Sequence, residues 1–151
     1  VTMRWWVVCH ACSILGPRAE GASYQYFAPF EDVLQKGIAS PGATERWFTP
    51  QELRQHDGIQ HPDIFLAFAG IVFNVTEGEE FYGPEGHYKN MAGHEIFRAV
   101  AEYEYDAALM HLDTEGLEDR HFKEAEDIFV GTYLEKYPIM GRVPKIGKDE
   151  L

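Results

Sequence analysis

The sequence has very few cysteines, and their surroundings argue against a role for them. Only Cys9 and Cys12 occur among the 151 residues. Their C-x-x-C spacing is typical of a zinc half-site or a redox motif, but a zinc site needs a second ligand pair. A redox motif of this kind needs a strand before it and a helix after it, and the sequence indicates neither. We therefore assign the pair no metal or redox function.

Long apolar runs and positive charge are also scarce. The longest apolar stretch, residues 5–15, is interrupted by His10 and Ser13, and it is shorter than the ~20 residues that cross a bilayer. We therefore expect no stable membrane span. Lys and Arg total 13 against 25 Asp and Glu, for a formal net charge of -12. Such a surface repels phosphate groups, which disfavours nucleic acid and anionic lipid as partners.

Both ends of the chain carry patterns typical of address signals. A basic residue, Arg4, precedes a short apolar segment and then small residues, which is the order of a secretory signal peptide, and we assign it to residues 1–22. The tail, residues 144–151, ends in Lys148-Asp149-Glu150-Leu151, a complete K-D-E-L that a retrieval receptor reads. We therefore expect a protein of the endoplasmic reticulum lumen.

A sequon for N-glycosylation, Asn74-Val75-Thr76, lies in the middle of the chain. In the secretory pathway this sequon could carry a glycan. Alternatively, Asn74 forms a local hydrogen bond in the turn that follows a strand. The sequence leaves both interpretations open.

The length is sufficient for one folded domain with flanking segments. Residues 23–46 are rich in Gly, Ala, Ser and Pro and have no sustained period, so we interpret them as a linker or arm. The domain is assigned to residues 47–143. It begins with a helix-start signal in which Thr49 is the N-cap, Pro50 the first helical residue and Glu52 the partner in a capping box. Phe48 and Leu53 form a hydrophobic staple, and the helix is expected to end near Gly58.

The rest of the domain alternates strand and helix patterns. Two apolar runs, residues 64–68 and 71–75, are separated only by Ala69-Gly70, which predicts a tight hairpin. No regular element is expected in the Gly-rich residues 76–90. Helices are predicted over residues 92–101 and 117–136, and a strand over 139–143. This pattern predicts a small α+β domain.

Two tyrosines and a histidine flank a Gly-Pro-Glu-Gly turn in residues 80–88. A phenolate is a donor suited to ferric haem, so Tyr82 and Tyr88 are candidate ligands on chemical type. Loop tyrosines more often pack their ring and hydrogen-bond their hydroxyl. On residue type alone, packing is therefore the favoured interpretation.

Four segments together resemble a known family. They are F-T-P-Q-E-L-R-Q-H-D-G, I-F-L-A-F-A-G-I-V-F-N-V-T, F-Y-G-P-E-G-H-Y and M-A-G-H-E. They resemble the cytochrome b5-like haem/steroid-binding domain of the membrane-associated progesterone receptor (MAPR) family over residues 47–143. The signal-like start, without an anchor, is similar to the neudesin-like lumenal or secreted members. The resemblance implies a small cytochrome b5-like fold.

The resemblance also implies a b-type haem with ferric iron and a set of residues around it. Tyr88 falls on the family's axial iron ligand, and Tyr82 on a residue that hydrogen-bonds at the haem pocket. Lys136 and Tyr137 resemble a family pair that meets a haem propionate and the pocket rim, and an ammonium facing a carboxylate is chemically sensible there.

The chain departs from typical cytochrome b5, whose first haem-ligating histidine lies in an H-P-G-G motif. Here the segment reads His61-Pro62-Asp63, so a two-histidine, electron-transfer form is disfavoured and His61 is interpreted as a turn residue. His87 either tunes or competes for the iron, or is simply exposed. His94 and Glu95 are expected to open a helix.

A tyrosinate-ligated haem with one open face suits binding, sensing or delivery. No Ser-His-Asp set, phosphate loop or carboxylate pair stands out, so we do not predict an enzyme. The sequence favours a haem-binding regulatory or carrier protein of the secretory pathway. Two alternatives stay open: a lumenal or secreted protein-interaction module without obligatory haem, and a carrier of steroid or another apolar ligand. A protein partner or a haem-mediated dimer is compatible with these functions.

Overall fold

The computed structural model describes residues 46–144, which form short helices around a three-stranded antiparallel sheet. The cysteine pair, the signal-like segment, most of the arm and the K-D-E-L sequence lie outside these residues. The elements in chain order are α1 Pro50–Gln55, β1 Phe65–Phe68, β2 Ile71–Asn74, α2 Glu79–Tyr82, α3 Phe97–Ala101, α4 Asp119–Ile128 and β3 Ile139–Arg142. Single turns of 3-10 helix lie at Thr76–Gly78, Lys89–Met91 and Ala107–Leu109, and a π-helical segment, Phe129–Leu134, continues α4.

Helix α1 begins as its sequence predicts. The Thr49 side chain accepts a hydrogen bond from the Glu52 backbone, and the Glu52 carboxylate accepts one from the Thr49 backbone. The helix ends at Gln55, earlier than expected. The Asp57 carboxylate accepts the backbone N–H groups of Ile59 and Gln60. This local turn competes with further helix, because it offers those N–H groups another acceptor.

The hairpin prediction is confirmed. Strands β1 and β2 pair with Phe68 opposite Ile71, so the turn consists of two residues. Ala69 and Gly70 have φ angles of 53° and 80°, as a type I′ turn requires. Strand β3 pairs with the other edge of β2, which confirms the strand expected near the end of the domain.

The sheet is buried on both faces, which explains why its strands read as continuous apolar runs. One face carries Leu66, Phe68 and Phe73 into the main core against α3, α4 and the π-helical segment. The opposite face carries Phe65 and Val72 into a smaller cluster with three residues from outside the hairpin, Phe48, Leu53 and Val143. The burial of Phe48 and Leu53 in one cluster confirms the hydrophobic staple.

Two predictions about regular structure need correction. Residues 76–90 were expected to be irregular, yet they contain α2 and the 3-10 turn Thr76–Gly78, and a second 3-10 turn begins at Lys89. The Asn74 side chain accepts the Thr76 backbone N–H at 3.0 Å and so initiates the first turn. This bond favours the local interpretation of Asn74, while use of the sequon stays a prediction. Helix α3 begins only at Phe97 rather than at residue 92.

The late start of α3 has its cause in Glu95, a carboxylate buried in the core. Its oxygens accept the backbone N–H groups of Ala69, Gly70 and Phe97 at 2.9, 2.8 and 3.0 Å. Glu95 therefore ties the hairpin turn to the first turn of α3. Burial raises the pKa of Glu95 to about 7, because desolvation outweighs the hydrogen bonds that favour the charged form. Among residues 46–144, no helix is both long and apolar enough to cross a bilayer.

The raised pKa of Glu95 predicts a pH-dependent stability that a Glu95→Gln variant lacks. Between the ordinary value of 4.5 and about 7, the folded protein binds more protons at this carboxyl than the unfolded chain does. This contribution is therefore complete below pH ~4.5 and is lost as the pH rises through ~7. Relative to Glu95→Gln, we expect the wild type to lose on the order of 3 kcal/mol of unfolding free energy across this range.

Urea denaturation at closely spaced pH values measures this difference. Glu104→Gln is the matched control, because Glu104 is exposed; its pH profile should follow the wild type. Parallel wild-type and Glu95→Gln profiles would contradict the prediction.

Candidate functional site

The Tyr82-to-Tyr88 segment forms a compact turn closed by its own backbone. The N–H of Gly83 donates to the Glu79 carbonyl at 2.8 Å, which ends α2. The N–H groups of Gly86 and Tyr88 donate to the carbonyls of Gly83 and Phe81, both at 2.8 Å. The chain therefore folds back on itself, and the Tyr82 and Tyr88 rings lie 6.3 Å apart.

Glycine is required in this turn because neighbouring backbone leaves no room for a side chain. A Cβ on Gly86 would overlap the carbonyl oxygen of Phe81, and one on Gly83 would lie 2.5 Å from the carbonyl oxygen of Glu79. Backbone groups cannot move aside as the end of a flexible side chain can. The glycines therefore hold the two tyrosines at their separation.

Five tyrosines, which we call the tyrosine cluster, converge at this turn: Tyr82, Tyr88, Tyr105, Tyr133 and Tyr137. Tyr105 meets the Tyr88 ring edge-on, with centroids 5.0 Å apart. Tyr137 lies 6.2 Å from Tyr82 and 5.8 Å from Tyr133. Tyr133 also packs on Phe68 and Phe73 of the sheet, so the cluster rests directly on the main core.

The two tyrosines of the turn have different environments. Tyr82 is buried, and its hydroxyl lies 3.0 Å from that of Tyr133. Burial raises the pKa of Tyr82 to about 12, and the hydrogen bond with Tyr133 offsets only part of this effect. Tyr88 is half-buried, and within residues 46–144 its hydroxyl has no hydrogen-bond partner. The Tyr82 hydroxyl therefore stays protonated at neutral pH, whereas the Tyr88 hydroxyl is available to a ligand.

The structure brings together three of the four residues that the sequence indicates. Tyr82, Tyr88 and Tyr137 share the cluster, while Lys136 is exposed and makes no hydrogen bond or ion pair with the other described residues. His87 is exposed, with its ring centroid 5.3 Å from that of Tyr88. His61 accepts the Asp63 backbone N–H at 3.2 Å, which agrees with its interpretation as a turn residue.

Two members of the cluster were not predicted as site residues. Tyr133 lies within the helix predicted over residues 117–136, and Tyr105 lies outside every predicted element. The four-residue spacing between Tyr133 and Tyr137 could have indicated a shared helix face. For Tyr105 the sequence carries no comparable signal, because its contact with Tyr88 joins separate segments.

The donor chemistry of the cluster fits a haem with a tyrosine ligand. A half-buried phenol oxygen, aromatic rings on several sides and a nearby lysine are the groups that ligate ferric iron, contact a porphyrin and meet a propionate. Within residues 46–144, no group of three or more His, Cys, Asp or Glu side chains could hold a bare metal ion.

Comparison with known proteins identifies the family. The cytochrome b5-like haem/steroid binding domain family matches residues 49–144. The chain belongs to this family. Membrane-associated progesterone receptor component 2 of Rattus norvegicus is 36% identical over 120 residues, which cover 75% of this chain and 55% of the relative. Neuferricin of Mus musculus is 31% identical over 99 residues, which cover 65% of this chain and 37% of the relative.

These relatives confirm the placement in the MAPR family with neudesin-like members. The chain spans about half the length of the receptor relative that it matches. A solved Arabidopsis thaliana protein, described as having a cytochrome b5 like fold, has a TM-score of 0.59 at 31% identity, over 70% of this chain and 95% of that chain. The α+β, cytochrome b5-like fold is therefore confirmed. The family description names the binding of haem or steroid and no reaction.

The glycine turn of this MAPR domain yields a stability prediction. We expect Gly86→Ala to lower the unfolding free energy by about 2 kcal/mol or more, because the added methyl group overlaps backbone. Gly131→Ala is the control, since no atom lies within 4 Å of a Cβ at this helical position. Alanine should keep or raise stability there. Denaturant unfolding of both variants is the measurement, and equal stabilities would show that the turn tolerates a side chain.

Proposed function

We propose that this domain binds one ferric b-type haem through the phenolate oxygen of Tyr88 and has a regulatory or carrier function rather than an enzymatic one. The observation that carries the proposal is the difference between the two tyrosines of the turn. Tyr82 is buried and engaged by Tyr133, whereas Tyr88 is half-buried with no hydroxyl partner among the described residues. The family's description as haem/steroid binding supports it.

The bound haem would supply a ferric iron, a state that an anionic phenolate ligand favours. The chain's own residues would orient that ligand. The edge-on contact with Tyr105 at 5.0 Å restrains the Tyr88 ring. Tyr82 remains protonated at neutral pH and can donate a hydrogen bond within the cluster. Lys136 and Tyr137, at the end of the helical segment, would meet a propionate at the rim.

A steroid or another apolar ligand is the second candidate. The supporting observations are the aromatic lining of the cluster and the mention of steroid in the family description. Such a ligand would need the rings and hydroxyl groups of the cluster but no iron. A protein-interaction module without haem would need neither the iron nor the ring and hydroxyl contacts of the cluster.

The haem proposal predicts that Tyr88→Phe weakens binding without unfolding the domain. Titration of the full chain with ferric haem, followed by absorbance, should give saturable one-to-one binding and a tyrosinate-type spectrum for the wild type. Removing the hydroxyl should eliminate that spectrum and lower affinity by about ten-fold or more, because the iron loses its protein ligand.

Tyr103→Phe is the matched control, since Tyr103 is exposed and lies outside the cluster; its binding should equal that of the wild type. An unchanged spectrum in Tyr88→Phe would show that another residue ligates the iron, which would contradict the proposed role of Tyr88. Absence of saturable binding to folded wild type would overturn the haem proposal, and steroid binding by the same protein would then favour the second candidate.

We also propose that the protein resides in the endoplasmic reticulum lumen, on the basis of the Lys148-Asp149-Glu150-Leu151 sequence. Expressed in cells with an internal tag, the full chain should colocalise with lumenal markers. Deleting the four residues should release it into the medium. Cytosolic staining of the full chain would contradict the proposal. A glycosidase-sensitive mobility shift, absent in Asn74→Gln, would additionally report use of the sequon.

A further inference from the structure

We propose that His56 makes the loop between α1 and β1 acid-sensitive, because protonation of its ring releases the loop from the sheet. We call residues 56–63, which form this loop, the histidine loop. The inference goes beyond the proposed function and is independent of it, since it needs neither haem nor the tyrosine cluster.

The His56 ring is part of the smaller apolar cluster on the sheet. It stacks on the Phe65 ring, with centroids 4.1 Å apart and planes 12° from parallel, and it meets the Phe48 ring edge-on at 6.3 Å. Its Nδ1 atom is buried and has no hydrogen-bond partner among residues 46–144. A protonated ring would place an N–H at this atom without an acceptor, which is destabilising.

A second imidazole makes a charge on His56 still less favourable. The His61 ring lies next to the His56 ring, with centroids 4.3 Å apart. Asp63 holds His61 in place, because its backbone N–H donates to His61 Nδ1 at 3.2 Å and its carboxylate lies 3.8 Å from the same atom. Two protonated rings at this separation would repel each other.

Four charged or titratable groups face the His56 ring, namely Arg46 before α1, Glu52 in α1, and His61 and Asp63 in the loop. Burial lowers the pKa of His56 most, and the charges of His61 and Arg46 lower it further. Asp63 offsets only part of these effects. The closed loop therefore keeps His56 neutral at a pH where a solvent-exposed imidazole already binds a proton.

The direction of the pH effect follows from this difference in proton binding. Above the ordinary value of 6.5, the open and closed loops are both neutral at His56, and the closed loop keeps its full stability. As the pH falls below 6.5, the open loop gains a proton that the closed loop excludes, so the equilibrium moves toward the open loop. Glu95 has the opposite dependence, because its contribution is lost as the pH rises.

Opening of the histidine loop would affect its neighbours on two sides. The Phe65 N–H donates to the His56 carbonyl at 3.0 Å, so this bond breaks when the loop leaves the sheet. Gly58 lies between Ile64 and Pro84, where a Cβ would be 3.0 Å from Ile64 Cγ1 and 3.6 Å from Pro84 Cδ. Pro84 belongs to the glycine turn. The open loop would therefore uncover one side of that turn as well as the Phe65 ring.

Amide hydrogen exchange of the ligand-free full chain, followed by NMR, tests the inference. The protection factor of the Phe65 amide corrects for the intrinsic pH dependence of exchange and reports loop opening. Between pH ~7 and pH ~5.5, we expect wild-type protection to fall about five-fold more than that of His56→Phe, whose ring stacks but cannot be protonated. His61→Gln should show a fall smaller than the wild type, because it removes the neighbouring charge.

Two controls separate loop opening from other effects of pH. His87→Gln should follow the wild type, since His87 is exposed and lies outside the loop. The Val100 amide, which donates to the Ile96 carbonyl in the α3 region at 3.0 Å, reports opening away from the loop. Its protection should change with pH equally in the wild type and His56→Phe, because Glu95 is present in both.

The outcomes decide the inference whether or not the domain binds haem. Equal pH dependence of Phe65 protection in the wild type and His56→Phe would overturn it. An equal difference between these proteins at Phe65 and Val100 would also overturn it, because the effect would then be global unfolding. Should His56→Phe not fold, the inference fails if His61→Gln keeps the full wild-type pH dependence.

Discussion

The structure depends on one buried carboxylate. Glu95 accepts three backbone N–H groups, two from the hairpin turn and one from the start of α3. A two-residue turn with positive φ angles leaves its N–H groups without partners in the strand ladder, and burial would make that destabilising. Glu95 removes this penalty and fixes where α3 begins. The sheet and the helical layer can then pack as one unit.

That packing determines where the tyrosines can meet. The sheet supplies Phe68 and Phe73 as the surface on which Tyr133 packs, and the glycine turn holds Tyr82 next to Tyr133 and Tyr88. The result is a gradient of polarity, from an apolar core through a hydroxyl pair to a phenol partly open to solvent. A prosthetic group with an apolar ring and charged edges suits such a gradient.

The sequence predicted those helices and strands whose patterns involve residues close together in the chain. The capping box of α1 and the two-residue hairpin each depend on a few adjacent residues, and the structure confirms both. Helix α2 was not predicted, because a four-residue helix is too short to show a period in its apolar residues. Glu95 was interpreted only as opening a helix, since its acceptance of the hairpin N–H groups joins residues about 25 positions apart. Resemblance indicated Tyr82, Tyr88, Lys136 and Tyr137, but only the folded structure shows that Tyr105 and Tyr133 lie beside the three tyrosines of that set.

The hydroxyl pair of Tyr82 and Tyr133 has a consequence for how the protein folds. The glycine turn closes through contacts a few residues apart, whereas the pair joins segments separated by 51 positions. Long-range contacts form late, after loop-closure entropy has been overcome. During synthesis the turn can therefore exist before the remainder of the cluster has left the ribosome. A ligand that needs the whole cluster would then recognise only finished molecules, and its presence would shift the population toward them.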